Sequence, residues 1–152
     1  MKKNGVQYIV LTLLVVLSLT SIAAKDGSNT FTANLTGEAE VNAAGVPNQG
    51  DLDGSGNATI TINYGQGSVC WQIRVEGITL PATAAHIHVG PAGVAGPVVV
   101  PLSGPSAKGF SSGCTSASRD LLKAIIEHPE EYYVNVHNAD FPAGALRGQL
   151  TP

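Results

Sequence analysis

From Thr30 onward the chain alternates apolar and polar residues with a period of two. Phe31, Ala33 and Leu35 alternate with Thr30, Thr32, Asn34 and Thr36, and Ala58, Ile60, Ile62 and Tyr64 alternate with Asn57, Thr59, Thr61 and Asn63. This is the pattern of a strand with one buried face. It resumes after Gly65-Gln66-Gly67, where Val69, Trp71, Ile73 and Val75 are set against Cys70, Gln72 and Arg74. The two segments therefore predict a hairpin around a short glycine loop. Shorter strands are predicted at 84–89 and 98–102, separated by Gly90-Pro91-Ala92-Gly93, and a final hairpin pairs 132–137 with 145–150. One segment changes period. Over 118–127, Leu121, Leu122, Ile125 and Ile126 form one helical face, with Ser116 or Ser118 to cap its start and Pro129 to end it. About seven short antiparallel strands with turns rich in Gly and Pro predict an all-β Greek-key sandwich or barrel carrying one short helix.

The first 24 residues are of another kind. Lys2 and Lys3 precede an apolar run, 9–19, broken only by Thr12 and Ser18, and Ser21-Ile22-Ala23 has a small-x-small pattern. This predicts a signal peptide over 1–24, export to the periplasm or beyond, and one mature domain over 25–152. A run of about 11 residues spans little more than half of a ~30 Å hydrocarbon layer, so no stable membrane span is expected after cleavage. Removing the leader leaves 6 basic against 11 acidic residues. A mildly acidic chain with no basic cluster has no means of neutralising phosphates, which excludes nucleic acid as a partner. Charged residues are only 12% of the chain, about half the usual share, while Gly numbers 18. That composition suits a turn-rich β domain and excludes charge-driven disorder.

Export decides the cysteines. Cys70 and Cys114 are the only two, and in an oxidising compartment an even pair reads first as a disulfide, here closing a loop of about 45 residues. Metal thiolates or a reactive thiol are the competing readings.

Strand parity points to chemistry. In Ala85-His86-Ile87-His88-Val89 the two histidines share one face, and in Tyr133-Val134-Asn135-Val136-His137 the histidine shares its face with Tyr133 and Asn135. With the β-branched residues facing the core, all three histidines lie on the outer face of the sheet, where a loop can cover them. Cys70 has outward parity too, so its disulfide is expected to clamp the segment around Cys114 over the outside of the sheet.

These residues resemble a known family. Ala84-Ala85-His86-Ile87-His88-Val89-Gly90, Gly96-Pro97-Val98-Val99-Val100, Tyr132-Tyr133-Val134-Asn135-Val136-His137 and Pro142-x-Gly144-x-x-Arg147-Gly148-Gln149-Leu150 are similar to the CHRD domain. That family is named after the repeats of chordin and is found also as small exported bacterial proteins. Phe31-Thr32-Ala33-Asn34-Leu35-Thr36-Gly37 and the Asp51-x-Asp53-Gly54-Ser55-Gly56 turn fit as well. Glu40-Val41-Asn42-Ala43 departs from the more proline-rich segment the family implies there. The resemblance implies an extracellular all-β module, in keeping with the immunoglobulin- or superoxide-dismutase-like barrel or sandwich expected here. It implies no defined activity, although chordin, which acts by binding signalling ligands, suggests a protein-binding module.

A His-x-His strand aims two imidazoles the same way, and a third from another strand completes a facial site. His86, His88 and His137 are therefore candidate ligands for one copper or zinc ion. The alternative is that they hydrogen-bond backbone carbonyls and shape the loops. The strands also resemble those of copper-zinc superoxide dismutase, but that enzyme's paired metals require six histidines and an aspartate. This chain has 4 histidines, one of them His128, expected to be solvated at the helix end. A full dismutase site cannot be built. Asp51 to Asn57 matches the first half of a calcium loop, but Ile62 stands where a bidentate Glu is needed, so calcium is not expected. No nucleotide loop or His-Glu-x-x-His motif occurs, leaving nucleotide enzymes and zinc hydrolases of that type without support. Arg147 has outward parity and is expected either to bind an anion near the histidines or to pair with Glu76 or Asp140. Three functions remain: metal binding in the cell envelope, a protein-binding module with structural histidines, and, least supported by the histidine count, a redox enzyme with a mononuclear copper site.

Overall fold

A computed structural model describes residues 28–152; the expected signal peptide lies outside them. The period-two segments form β1 (Ser28–Thr36), β2 (Ser55–Asn63), β3 (Ser68–Glu76), β4 (Ala84–Val89) and β5 (Val98–Leu102). They are followed by β6 (Phe110–Ser116), α1 (Arg119–Glu127), a 3-10 turn (Pro129–Glu131), β7 (Tyr132–His137) and β8 (Leu146–Gln149). All ladders are antiparallel, in the order β5-β4-β7-β8-β1-β2-β3-β6. The result is a single, nearly closed barrel-like sheet. Hairpins link β1 to β2 to β3, β4 to β5 and β7 to β8, while the connections from β3 to β4 and from β6 to β7 cross over. This is Greek-key connectivity.

The alternating apolar residues fill the interior. Leu35, Ile60, Ile62, Val69, Ile73, Ile87, Val134, Val136 and Leu146 are fully buried in one cluster, to which α1 adds Leu122 and Ile125. The Ser118 hydroxyl caps that helix by accepting from the Leu121 N–H at 3.3 Å. Trp71 lies against Gly113, where a Cβ would come within 2.7 Å of the indole ring. The indole N–H donates to Ser111 Oγ at 3.0 Å, and that hydroxyl donates to the Ser103 carbonyl. This relay satisfies the buried tryptophan and links β6 to the segment after β5, between which no ladder forms among the described residues.

Strand β6 corrects the expected place of the disulfide. Phe110 to Ser116 has no alternation to betray a strand, yet it pairs with β3 from Arg74↔Phe110 to Ser68↔Ser116. Cys114 therefore sits beside Cys70 within the sheet, with Cα atoms 4.0 Å apart, and no loop is clamped over the outer face.

One region departs from the half-buried pattern. β7 is buried at every position but His137, and β8 at every position but Gln149. Both faces are covered there because two loops, 37–50 and 90–97, fold over the outer side. The Asp51 N–H donates to the Ala145 carbonyl at 2.9 Å and the Gly90 N–H to the Glu131 carbonyl at 2.6 Å. The strands that carry the candidate histidines, β4 and β7, are neighbours in this part of the sheet.

Candidate metal centre

Ladder register places the histidines. Across β4 and β7, Ala84 faces His137, His86 faces Asn135 and His88 faces Tyr133; across β7 and β8, Asn135 faces Arg147 and Tyr133 faces Gln149. His86 and His88 are same-face neighbours on β4, and His137 lies diagonally across from His86. Their ring centroids are 5.6 Å (His86 to His88), 5.0 Å (His86 to His137) and 6.1 Å (His88 to His137) apart. One ligating nitrogen from each ring lies within 4.8 Å of the others. Nitrogens bound tetrahedrally at 2.0–2.1 Å would be about 3.4 Å apart, so small side-chain rotations bring the set to coordinating distance.

Hydrogen bonds fix which nitrogens face inward. His88 Nδ1 is 2.9 Å from the Gly96 carbonyl, and His137 Nδ1 is 3.1 Å from the Pro142 carbonyl. A carbonyl only accepts, so each Nδ1 carries the proton and each Nε2 is left with a lone pair. Ligating histidines are held in this way, through a bond from the ring's other N–H. His88 Nε2 is buried with no hydrogen-bond partner. His137 Nε2 lies 3.1 Å from His86 Nδ1, which in the metal-free protein donates its proton to that lone pair. All three imidazoles are held below the ordinary histidine range. Burial is the main cause for each, joined for His86 by His88, for His88 by the Arg147 charge, and for His137 by His86 and His88. The rings are therefore neutral near pH 7, the form that ligates. No carboxylate or thiolate joins the group among the described residues, so three protein ligands would leave a fourth position for water or an exogenous group.

Arg147 departs from both roles that its parity suggests. It is 1% exposed, and neither Glu76 nor Asp140 is its partner. Its guanidinium lies 3.5 Å over the Tyr133 ring and donates to the Val94 and Pro91 carbonyls and to Gln149 Oε1. Glu76 is on β3, three strands away in the sheet order, and Asp140 accepts instead from the Thr79 hydroxyl. With its donors turned to the 90–97 loop and its surface covered, Arg147 has no face to offer a soluble anion.

Glu40 is an acid that neither motif nor strand parity singles out. Its carboxylate is buried, accepts from the Asn135 side-chain amide, and accepts from the Val41 N–H at 3.1 Å. Burial pushes its pKa up, against the pull of Asn135, Val41 and the Arg147 charge. A Cβ at Gly144 would fall on this carboxylate. His128 is solvated, as expected, 3.7 Å from Glu130. Asp51 to Gly54 form a turn, closed by the Gly54 N–H on the Asp51 carbonyl, and Ser55 to Asn57 already belong to β2.

A Greek-key β module with three convergent histidines beneath two loops is the class that fold and site define. The chain belongs to the CHRD domain family, whose model matches residues 31–150. No curated protein and no solved structure matches it. Among the described residues no helix is long and apolar enough to cross a membrane.

Proposed function

We propose that this chain is an exported CHRD-domain protein that binds one copper or zinc ion through His86, His88 and His137. The observation that carries the reading is the pairing of proximity with tautomer. Three ligating nitrogens lie within 4.8 Å of one another, and carbonyls hold the protons of His88 and His137 on the outer side of the rings. Imidazole suits both metals, and the thiolates that would compete are joined to each other. Export fits a chain carrying a disulfide and a leader-like segment over 1–24. Metal analysis of the mature protein, followed by calorimetric titration of the stripped protein with Cu(II) and Zn(II), tests the reading. One equivalent bound supports it; no binding of either ion overturns it.

A second reading, a module that docks extracellular proteins, rests on the loops beside the histidines. Residues 42–49 and 91–95 are exposed and contain no charged side chain, and Val46 and Val94 stand 49% and 48% exposed. Retention of a partner by the histidine-free variant would favour this function over metal binding.

A further inference from the structure

We propose that Arg147 is a positioning residue for His88, holding the 90–97 loop closed so that His88 presents Nε2 to the ion. This rests on the metal-binding reading. Tyr133 is sandwiched between the two: the guanidinium covers one side of its ring at 3.5 Å, and His88 is stacked near-parallel with it, centroids 4.9 Å apart and planes 15° apart. The same three side chains meet the loop. Arg147 holds the Val94 and Pro91 carbonyls, each at 2.9 Å. The Tyr133 hydroxyl accepts from the Gly96 N–H at 3.0 Å, and His88 Nδ1 donates to the Gly96 carbonyl at 2.9 Å.

Gly96 is the node at which this arrangement closes. A Cβ there would overlap the Val89 carbonyl, so only glycine lets the loop come down far enough to accept from His88. Gln149 works beside Arg147 on the same face of β8. Its amide nitrogen donates to the Gly90 carbonyl at 3.0 Å, at the root of the loop, and its oxygen accepts from Arg147 at 3.1 Å. Gly148 between them has no room for a side chain, since a Cβ would meet the Asn34 carbonyl. Arg147-Gly148-Gln149 thus clasps the loop that fixes the His88 tautomer. A lysine cannot replace the planar fork that stacks and donates at once.

The test uses the whole mature protein and two readouts: the dissociation constant for Zn(II), and the ring-nitrogen NMR signals of His88 in the metal-free state. Arg147→Lys keeps the charge and loses the stack and fork. The expected result is a folded protein with Zn(II) affinity lowered about 10–100-fold, the range for losing a residue that orients a ligand. His88 should also pass from a single Nδ1–H tautomer to a mixture. Unchanged affinity with an unchanged His88 signal in folded Arg147→Lys overturns the proposal. Should that variant not fold, Arg147→Gln, which also gives up the stack and the paired bonds to the Val94 and Pro91 carbonyls, is read the same way. A mixture of His88 tautomers in the unaltered metal-free protein overturns the proposal by itself. If the unaltered protein binds no Zn(II), the metal reading fails by itself, and the metal-free His88 signals still decide the role of Arg147.

Discussion

Cys70 and Cys114 face each other directly across β3 and β6, Cα atoms 4.0 Å apart. The Val75 N–H bonds to the Gly109 carbonyl, which puts Cys70 and Cys114 in the alternate, non-hydrogen-bonded register, where side chains approach most closely. The disulfide therefore fastens an end strand of the sheet order, one with little apolar surface of its own. Replacing both cysteines by alanine should lower stability by about 2–4 kcal/mol, measured by urea unfolding, and should speed amide exchange first in 110–116. An unchanged midpoint would show that β6 does not depend on the bond.

Ligand and bystander histidines should separate cleanly. His88→Ala is expected to lower Cu(II) and Zn(II) affinity by more than about 100-fold, beyond what losing an orienting residue costs, while His128→Ala, on the solvated helix end, should leave it unchanged. Calorimetric titration of both variants checks this. Equal loss in both would point to a nonspecific effect.

The three site histidines make stability depend on pH. Their pKa values are lowered in the folded state, so the unfolded chain takes up protons more readily. Stability is then complete above the unfolded value of about 6.5 and declines as pH falls through the lower, folded values. Metal affinity should decline over the same interval, because protons compete for the same nitrogens. Urea midpoints of the metal-free protein between pH 7.5 and 5 should fall, and His86→Gln should flatten the slope. A midpoint that rises on acidification would contradict the burial of these rings.

Glu40 should behave in the opposite sense. Its raised pKa means the folded state favours its protonated form. Its contribution is fully present below the unfolded value and is lost as pH rises through the folded one. At pH 7, Glu40→Gln should therefore cost little or stabilise, whereas Glu40→Ala strips the buried Asn135 amide of its partner and should cost about 1–3 kcal/mol. Denaturant titration of the two variants decides; equal losses would mean the carboxylate charge itself is required.

Period-two alternation makes most strands legible in the sequence, and i, i+2 parity alone puts His86 and His88 on one face. What stays hidden is non-local. β6 reads Phe-Ser-Ser-Gly-Cys-Thr-Ser, polar on both faces, and it is a strand because β3 supplies its backbone partners and Trp71 needs a glycine opposite. The charge of Arg147 suggests a carboxylate partner; instead the guanidinium is stacked and its donors go to loop carbonyls, an arrangement with no trace in spacing. Glu40 stands in a loop that composition marks as surface, and only the fold of that loop onto Asn135 buries it.

Strand β7 enters the sheet between β4 and β8, 51 residues after His86 in the case of His137. A nascent chain that stops before β7 offers two imidazoles of the cluster, and the Pro142 carbonyl that sets the third arrives later still. An ion held by all three rings would act as a latch on the finished barrel: it enters only once the last hairpin has docked, and pulling that hairpin out means surrendering the ion first.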